Sequence, residues 1–152
     1  MSGLEIFGAV AAASQLVEAG SGIVGLISLL RAQVHDAPAS FDKRLGQVQH
    51  LISIARLIES SPALQTDLIT ALLESCRREA RQAEALLREL TADINDGKLK
   101  RYWKAIGDVK KEKRLSTICE RLEECKSAIV LCIVSQDTLV AFYVFEIDWD
   151  GS

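Results

Sequence analysis

Residues 115–143, LSTICERLEECKSAIVLCIVSQDTLVAFY, decide the class of fold. Leu115, Ile118, Leu122, Cys125, Ile129, Cys132, Gln136, Leu139 and Tyr143 recur at alternating spacings of three and four, the signature of one buried helical stripe. From Ala128 onward the chain is apolar and β-branched (AIVLCIV, then LVAFYVF), and that half alone reads equally well as a pair of strands. The unbroken stripe favours a helix.

The same periodicity extends upstream between a few Pro and Gly punctuation points. Asn95-Asp96-Gly97 closes a helix whose stripe is Leu64, Leu68, Leu72, Cys76, Ala80, Ala83, Leu87 and Leu90, and Ser60-Ser61-Pro62 opens it, with Ser61 as N-cap and Pro62 at the first helical position. Before it, a helix over 38–59 carries Phe41, Leu45, Val48, Ile52, Ala55 and either Ile58 or Leu57 inward, with Asp42, Lys43, Arg44, Gln47 and Arg56 off the stripe. His35-Asp36-Ala37-Pro38 separates it from a first helical segment, residues 3–34. The fold class is therefore all-α, an antiparallel bundle of four to five long helices in a single domain, residues 1–145, followed by an acidic tail, 146–152, that frays.

Composition agrees. The chain has 152 residues, 49% of them hydrophobic, with only 2 Pro and 9 Gly, and its mean hydropathy is +0.15. That excludes disordered and low-complexity classes. The net charge of −3 gives no whole-molecule attraction to nucleic acid or anionic lipid, so any such attraction must be local. Cys76, Cys119, Cys125 and Cys132 match no metal-ligand spacing, and the only histidines are His35 and His50, which argues against a metal site. Cys76, Cys125 and Cys132 lie on the inward stripes, whereas Cys119 lies beside one and is the thiol to test for reactivity. The opening MSGLEIF has no positive n-region, so no secretory leader is expected and the thiols are expected to be reduced. Phosphate-cradling loops, nucleophile elbows and HExxH are all missing, and neither enzyme activity nor a cofactor is expected.

Two segments depart from the pattern of an ordinary bundle. The first holds five of the nine glycines (Gly3, Gly8, Gly20, Gly22, Gly25) in a helix that is apolar nearly all round. Leu4, Phe7, Val10, Val17, Val24, Ile27 and Leu30 lie to one side, Leu16, Ile23, Leu26 and Leu29 elsewhere, and Gly8, Ala12, Gln15, Ala19, Gly22 and Ser28 form a small-residue face. Each interior Gly costs about 1 kcal/mol relative to Ala, so close packing must offset it. Such a helix is either the centre of the bundle or a segment able to leave it for a bilayer or an oligomer, with Gly20-Ser21-Gly22 as a hinge. Glu18 divides its apolar run into two stretches of twelve, short of the roughly 18 uninterrupted residues of a simple membrane span.

The second segment is 97–114, GKLKRYWKAIGDVKKEKR, with eight basic residues against Asp108 and Glu112, a local charge of +6. On a helix Lys100, Lys104, Lys111 and Arg114 share a face, while Leu99, Tyr102, Trp103, Ile106 and Val109 form another. Together with Arg101 they make a basic amphipathic surface suited to anionic lipid or an acidic partner. A solvated face is the plainer reading, and nucleic acid is disfavoured because no recognition motif is present.

The blocks MSGLEIFGAVAAASQLVE, HDAPASFDKRL, LISIARLIESSPALQTD and GKLKRYWKAIGDVKKEKRLSTICERLEECKSAIVLCI, in this order, resemble the fungal SesA domain of the HeLo-like group over residues 1–135. The resemblance implies an N-terminal effector domain of NACHT and other STAND P-loop NTPases, the fungal NOD-like receptors. It implies self-association and a role in regulated cell death, in heterokaryon incompatibility or innate immunity. It further implies a cytoplasmic protein recruited to the plasma membrane through its N-terminal helix, which maps onto Leu4 to Leu30. The partners it implies are an NTPase receptor or a downstream effector. The alternative is an adaptor that recruits a downstream effector by helical packing without membrane action, through a charged surface such as Arg77, Arg78, Arg81 and Arg88.

Overall fold

Four helices account for nearly all of the ordered backbone in a computed structural model that describes residues 3–33, 40–95 and 109–150, with side chains for 8–32, 41–92 and 113–136. They are α1 (Gly3–Gln33), α2 (Ser40–Ser60), α3 (Asp67–Asn95) and α4 (Val109–Asp150), with a 3₁₀ turn, Pro62–Leu64, between α2 and α3. No strand occurs among the described residues, so the ambiguous half of α4 is helical, and helical backbone continues to Asp150 through the tail expected to fray.

Facing pairs give the directions. Arg31 Nη2 meets Asp42 Oδ1 at 2.9 Å and Gly20 abuts Ile52, so α1 and α2 are antiparallel. Gly8 faces Thr70 and Gly22 faces Glu84, which makes α1 and α3 parallel. Arg121 reaches Glu79 and Cys125 lies beside Cys76, so α3 and α4 are antiparallel. Consecutive helices alternate in direction as expected, but the most extensive interface is the parallel one between α1 and α3; α2 and α4 barely meet.

The stop between α2 and α3 works differently from the sequence reading. Ser61 makes no side-chain capping bond, and Pro62 opens only the 3₁₀ turn. The cap of α3 is Thr66, whose Oγ1 accepts from the Ile69 N–H at 3.3 Å. The Gln65 amide donates to the Ile58 and Glu59 carbonyls at 3.0 and 3.1 Å, satisfying two end groups of α2. Leu64 is buried, but Leu68, expected beneath it, is 61% exposed and Leu72 half-buried, because steps of four residues drift about 40° each around a helix; counted back from Cys76, Leu73 and Ile69 at three and seven residues take the core positions.

In α2, Ile58 rather than Leu57 is buried, and Leu51 and Ile54 join it. Arg44, expected on the outer face, is only 8% exposed, its guanidinium carbon 5.7 Å from the Phe41 ring centroid. In α4, Leu115, Ile118, Leu122 and Ile129 are buried and Cys125, Cys132 and Gln136 half-buried, which follows the expected stripe; Leu139 and Tyr143 lie outside the described side chains.

Candidate functional site

The arrangement around α1 is built from small residues. Ala9, Ala12, Ala13, Leu16, Ala19, Ile23, Ile27 and Leu30 are buried, so the small-residue face and the large apolar residues point into the same core. The division drawn from sequence is thereby corrected. Leu16 and Ile23 belong to the core, Val10, Val17, Val24 and Leu26 are half-buried around it, and Gln15 and Ser28 are exposed. Leu4 and Phe7 lie outside the described side chains.

Two glycines permit the close approach. A Cβ at Gly20 would stand 2.7 Å from Ile52 Cγ1, and one at Gly22 would stand 3.2 Å from the Glu84 carboxylate carbon. A side chain at position 20 would force Ile52 to move, so close packing offsets the glycine cost there, whereas at position 22 the end of the Glu84 side chain would have to give by only a few tenths of an ångström. Gly25 differs: it is exposed, and an added Cβ would meet nothing within 4 Å. Gly25→Ala is expected to raise the stability of the folded bundle by about 0.5–1 kcal/mol through helix propensity alone, read as an upward shift of the urea midpoint with unchanged slope.

Glu84 is the unusual group in this interface. Its side chain is only 9% exposed; Oε1 accepts from Arg88 Nη2 at 2.7 Å, while Arg81 Nη1 stays 3.6 Å from Oε2. Oε2 is therefore buried without a hydrogen-bond partner. Leaving a buried carboxylate oxygen unsatisfied costs on the order of 1–3 kcal/mol, a cost placed in the seam that holds α1 to α3.

The charged face of α3 is occupied by its own ion pairs. Arg77 donates through Nε and Nη2 to Glu74, Arg81 and Arg88 flank Glu84, and Arg78 reaches Ser75. Of the basic face, Arg114 is exposed on α4 and Lys111 lies on its first turns, with its side chain outside the described set; Lys100, Arg101, Tyr102, Trp103 and Lys104 lie outside the described residues. A surface concavity of about 350 Å³ is lined by Gln82, Lys113, Arg114, Thr117, Ile118 and Arg121, a cationic feature that the segment boundary at 114 did not capture. A second cleft, about 450 Å³, opens between α2 and α4 with Lys43, Arg44 and Gln47 on one wall and Glu120, Glu123 and Glu124 on the other.

Cys76 is buried, and Cys119, Cys125 and Cys132 are half-buried. Burial pushes the Cys76 thiol far up, helped by Cys125 and Glu79. Burial also raises Cys119, against an opposing pull from Arg44. Neither has the depressed pKa of a nucleophile, so Cys119 does not have the reactive character that its place beside the stripe suggested.

Among curated proteins and among solved structures no match was found. One family model does match, covering residues 6–131: that of SesA, described as the N-terminal domain on NACHT NTPases and P-loop NTPases, a regulatory module rather than a catalytic domain. The match spans α1 through the packed half of α4, and the chain belongs to the SesA family.

Proposed function

We propose that this chain is the non-enzymatic signalling effector of a NACHT-type receptor, acting in regulated cell death such as heterokaryon incompatibility or innate immunity. It rests in the cytoplasm as the bundle described above. On clustering, α1 leaves its seat, inserts into the plasma membrane, and the basic face formed by Lys100, Arg101, Tyr102, Trp103, Lys104, Lys111 and Arg114 holds anionic lipid.

One observation carries the reading: α1, which packs against α2 and α3 with about 39% of its apolar window buried, is also long and apolar enough to cross a bilayer. Gly8–Ala32 has 25 residues at a hydropathy of 1.5. As a helix it spans about 37 Å against a hydrocarbon core of about 30 Å. In support, the seam it must leave contains the unsatisfied Glu84 carboxylate, and α1 keeps a glycine at position 25 that does nothing for the resting bundle.

The bundle offers a clean test. Leu29 on α1 is 40% exposed, so Leu29→Asp is expected to leave the helical circular dichroism and urea midpoint close to wild type. A charge at that position, toward the end of the span, opposes bilayer insertion by less than the roughly 2.5–3.5 kcal/mol it would cost at the helix centre. Dye release from phosphatidylserine-containing liposomes is therefore expected to fall severalfold. Reversal of Lys100, Lys104 and Lys111 to Glu is expected to abolish salt-sensitive co-sedimentation. A folded, clustered wild type that neither binds nor leaks liposomes would instead mark the domain as an adaptor for a downstream effector.

A further inference from the structure

Charge is strongly polarised along α4. Every Lys and Arg on it lies between Lys110 and Lys126, which with Glu112, Glu120, Glu123 and Glu124 gives that stretch a net charge of +2, whereas from Ser127 to Asp150 the only charged residues are Asp137, Glu146, Asp148 and Asp150, a net −4. At the basic end, Lys113, Arg114 and Arg121 line the 350 Å³ concavity with Gln82 and Thr117, and among the described residues no carboxylate joins them in the lining. Lys113 and Arg114 are exposed and have no ion-pair partner among the described residues. Arg121 meets Glu79 only at 3.9 Å, too far for a hydrogen bond. The concavity thus presents three cations with spare donors.

The acidic end projects from the bundle. Cys76 faces Cys125, and α3 begins at Asp67, nine residues before Cys76; in an antiparallel pair its first residue stands level with about residue 134 of α4. The Glu79–Arg121 pair gives the same level within a residue. Since α1 runs parallel to α3 with Gly8 opposite Thr70, Gly3 stands level with about residue 136. Beyond that point none of the other described helices accompanies α4, which continues to Asp150, an arm of about 20 Å. The family match ends at residue 131, at the root of this arm, where Leu131 is 67% exposed. The arm holds LVAFYVF at 139–145 and then the three carboxylates.

Acidic arm and basic concavity cannot meet within one molecule. Arg114 and Glu146 are 32 residues apart on a continuous helix, about 48 Å. They are complementary only between copies. We propose that the acidic end of α4 of one copy docks into the Lys113–Arg114–Arg121 concavity of the next, so that the chain associates head to tail. The contact is heterologous and propagates to a ring or an open filament. It would supply the clustering invoked above, but it rests on α4 alone and is tested without a membrane, so its failure leaves the insertion step untouched.

The experiment is sedimentation velocity on the whole 152-residue chain over a concentration series, in low salt (~50 mM) and high salt (~500 mM), which changes the screening length severalfold. The expected result is a weight-average mass at least double the monomer's 16.7 kDa in low salt, returning to monomer in high salt. Lys113→Glu with Arg114→Glu is expected to abolish association while leaving circular dichroism unchanged, and so is the triple variant Glu146→Lys, Asp148→Lys, Asp150→Lys. Mixing the two variants is expected to restore association, because each reversed end then meets a complementary one. A wild type that is monomeric throughout, association that strengthens with salt, or a mixture that stays monomeric overturns the proposal. Association retained by the Lys113→Glu, Arg114→Glu variant overturns it in favour of symmetric pairing of two arms.

Discussion

Ile27→Asp is expected to unfold the domain. Ile27 is 2% exposed in the middle of the core cluster that joins α1, α2, α3 and α4. The substitution removes a buried branched side chain, a loss of the same kind as the 2–5 kcal/mol measured for Ile→Ala. It also brings a carboxylate into an apolar site, and burying an unpaired charge costs several kcal/mol more unless the group takes up a proton. Domains of this size are stable by about 5–15 kcal/mol, so the combined loss consumes most or all of that margin. The expected readout is loss of the cooperative urea transition at neutral pH, with partial recovery below about pH 4–5 as the carboxyl is protonated. Ile27→Val, which keeps shape and polarity, is expected to cost only about 0.5–1.5 kcal/mol. If Ile27→Asp stayed fully cooperative, α1 would not be the central helix.

The second large effect separates two neighbouring leucines. Leu73→Ala is expected to destabilise by about 2–5 kcal/mol, because Leu73 is fully buried and truncation leaves a cavity against α1. Leu68→Ala, only five residues earlier on the same helix, is expected to change stability by less than about 0.5 kcal/mol, because Leu68 is 61% exposed. Urea denaturation of the two variants with a common slope is the measurement. Equal losses would mean that α3 turns a different face, with Leu68 as well as Leu73, into the core.

That pair also shows where sequence periodicity stops being informative. The stripe Leu64, Leu68, Leu72, Cys76 holds a spacing of four, which drifts about 40° per step around a helix and so has left the core face by Leu68, and nothing in it reveals that two non-helical residues, Gln65 and Thr66, fall between its first and second members. The signal was present in polar chemistry: a threonine just ahead of Asp67 can cap, and a glutamine at the end of a helix can satisfy carbonyls. The long regular stripe of α4 was legible because no such interruption occurs within it. Arg44 was misplaced because pattern rules assign a charged residue to solvent, whereas its aliphatic stem and the Phe41 ring allow it to lie in the α2 wall.

For the candidate site, the apolar and glycine-rich character of α1 was readable directly, and Ile23, Ile27 and Leu30 are buried, but the helix is not surrounded: Gln15, Glu18, Ser28 and Leu29 keep one face in solvent. The identity of its partners was not, because Gly20 against Ile52 and Gly22 against Glu84 are contacts between residues 32 and 62 positions apart. The buried carboxylate was likewise invisible: Glu84 sits among arginines in a sequence that reads as a solvated face. Of the basic segment, the sequence located the cations but ended them at Arg114, whereas the concavity extends across Thr117 to Arg121 and to Gln82 on the neighbouring helix.

The parallel seating of α1 on α3 has a consequence in time. The chain is made from its N-terminus, and α1 is complete at Gln33, but the helix that provides its largest interface is complete only at Asn95, 62 residues later. At about 5–20 residues per second a nascent chain presents this apolar helix for roughly 3 to 12 s with at most α2 to cover it. That interval is ample for a ribosome-associated chaperone or a nearby bilayer to capture it, so the folding of the nascent bundle is a race between α3 and any apolar surface that reaches α1 first.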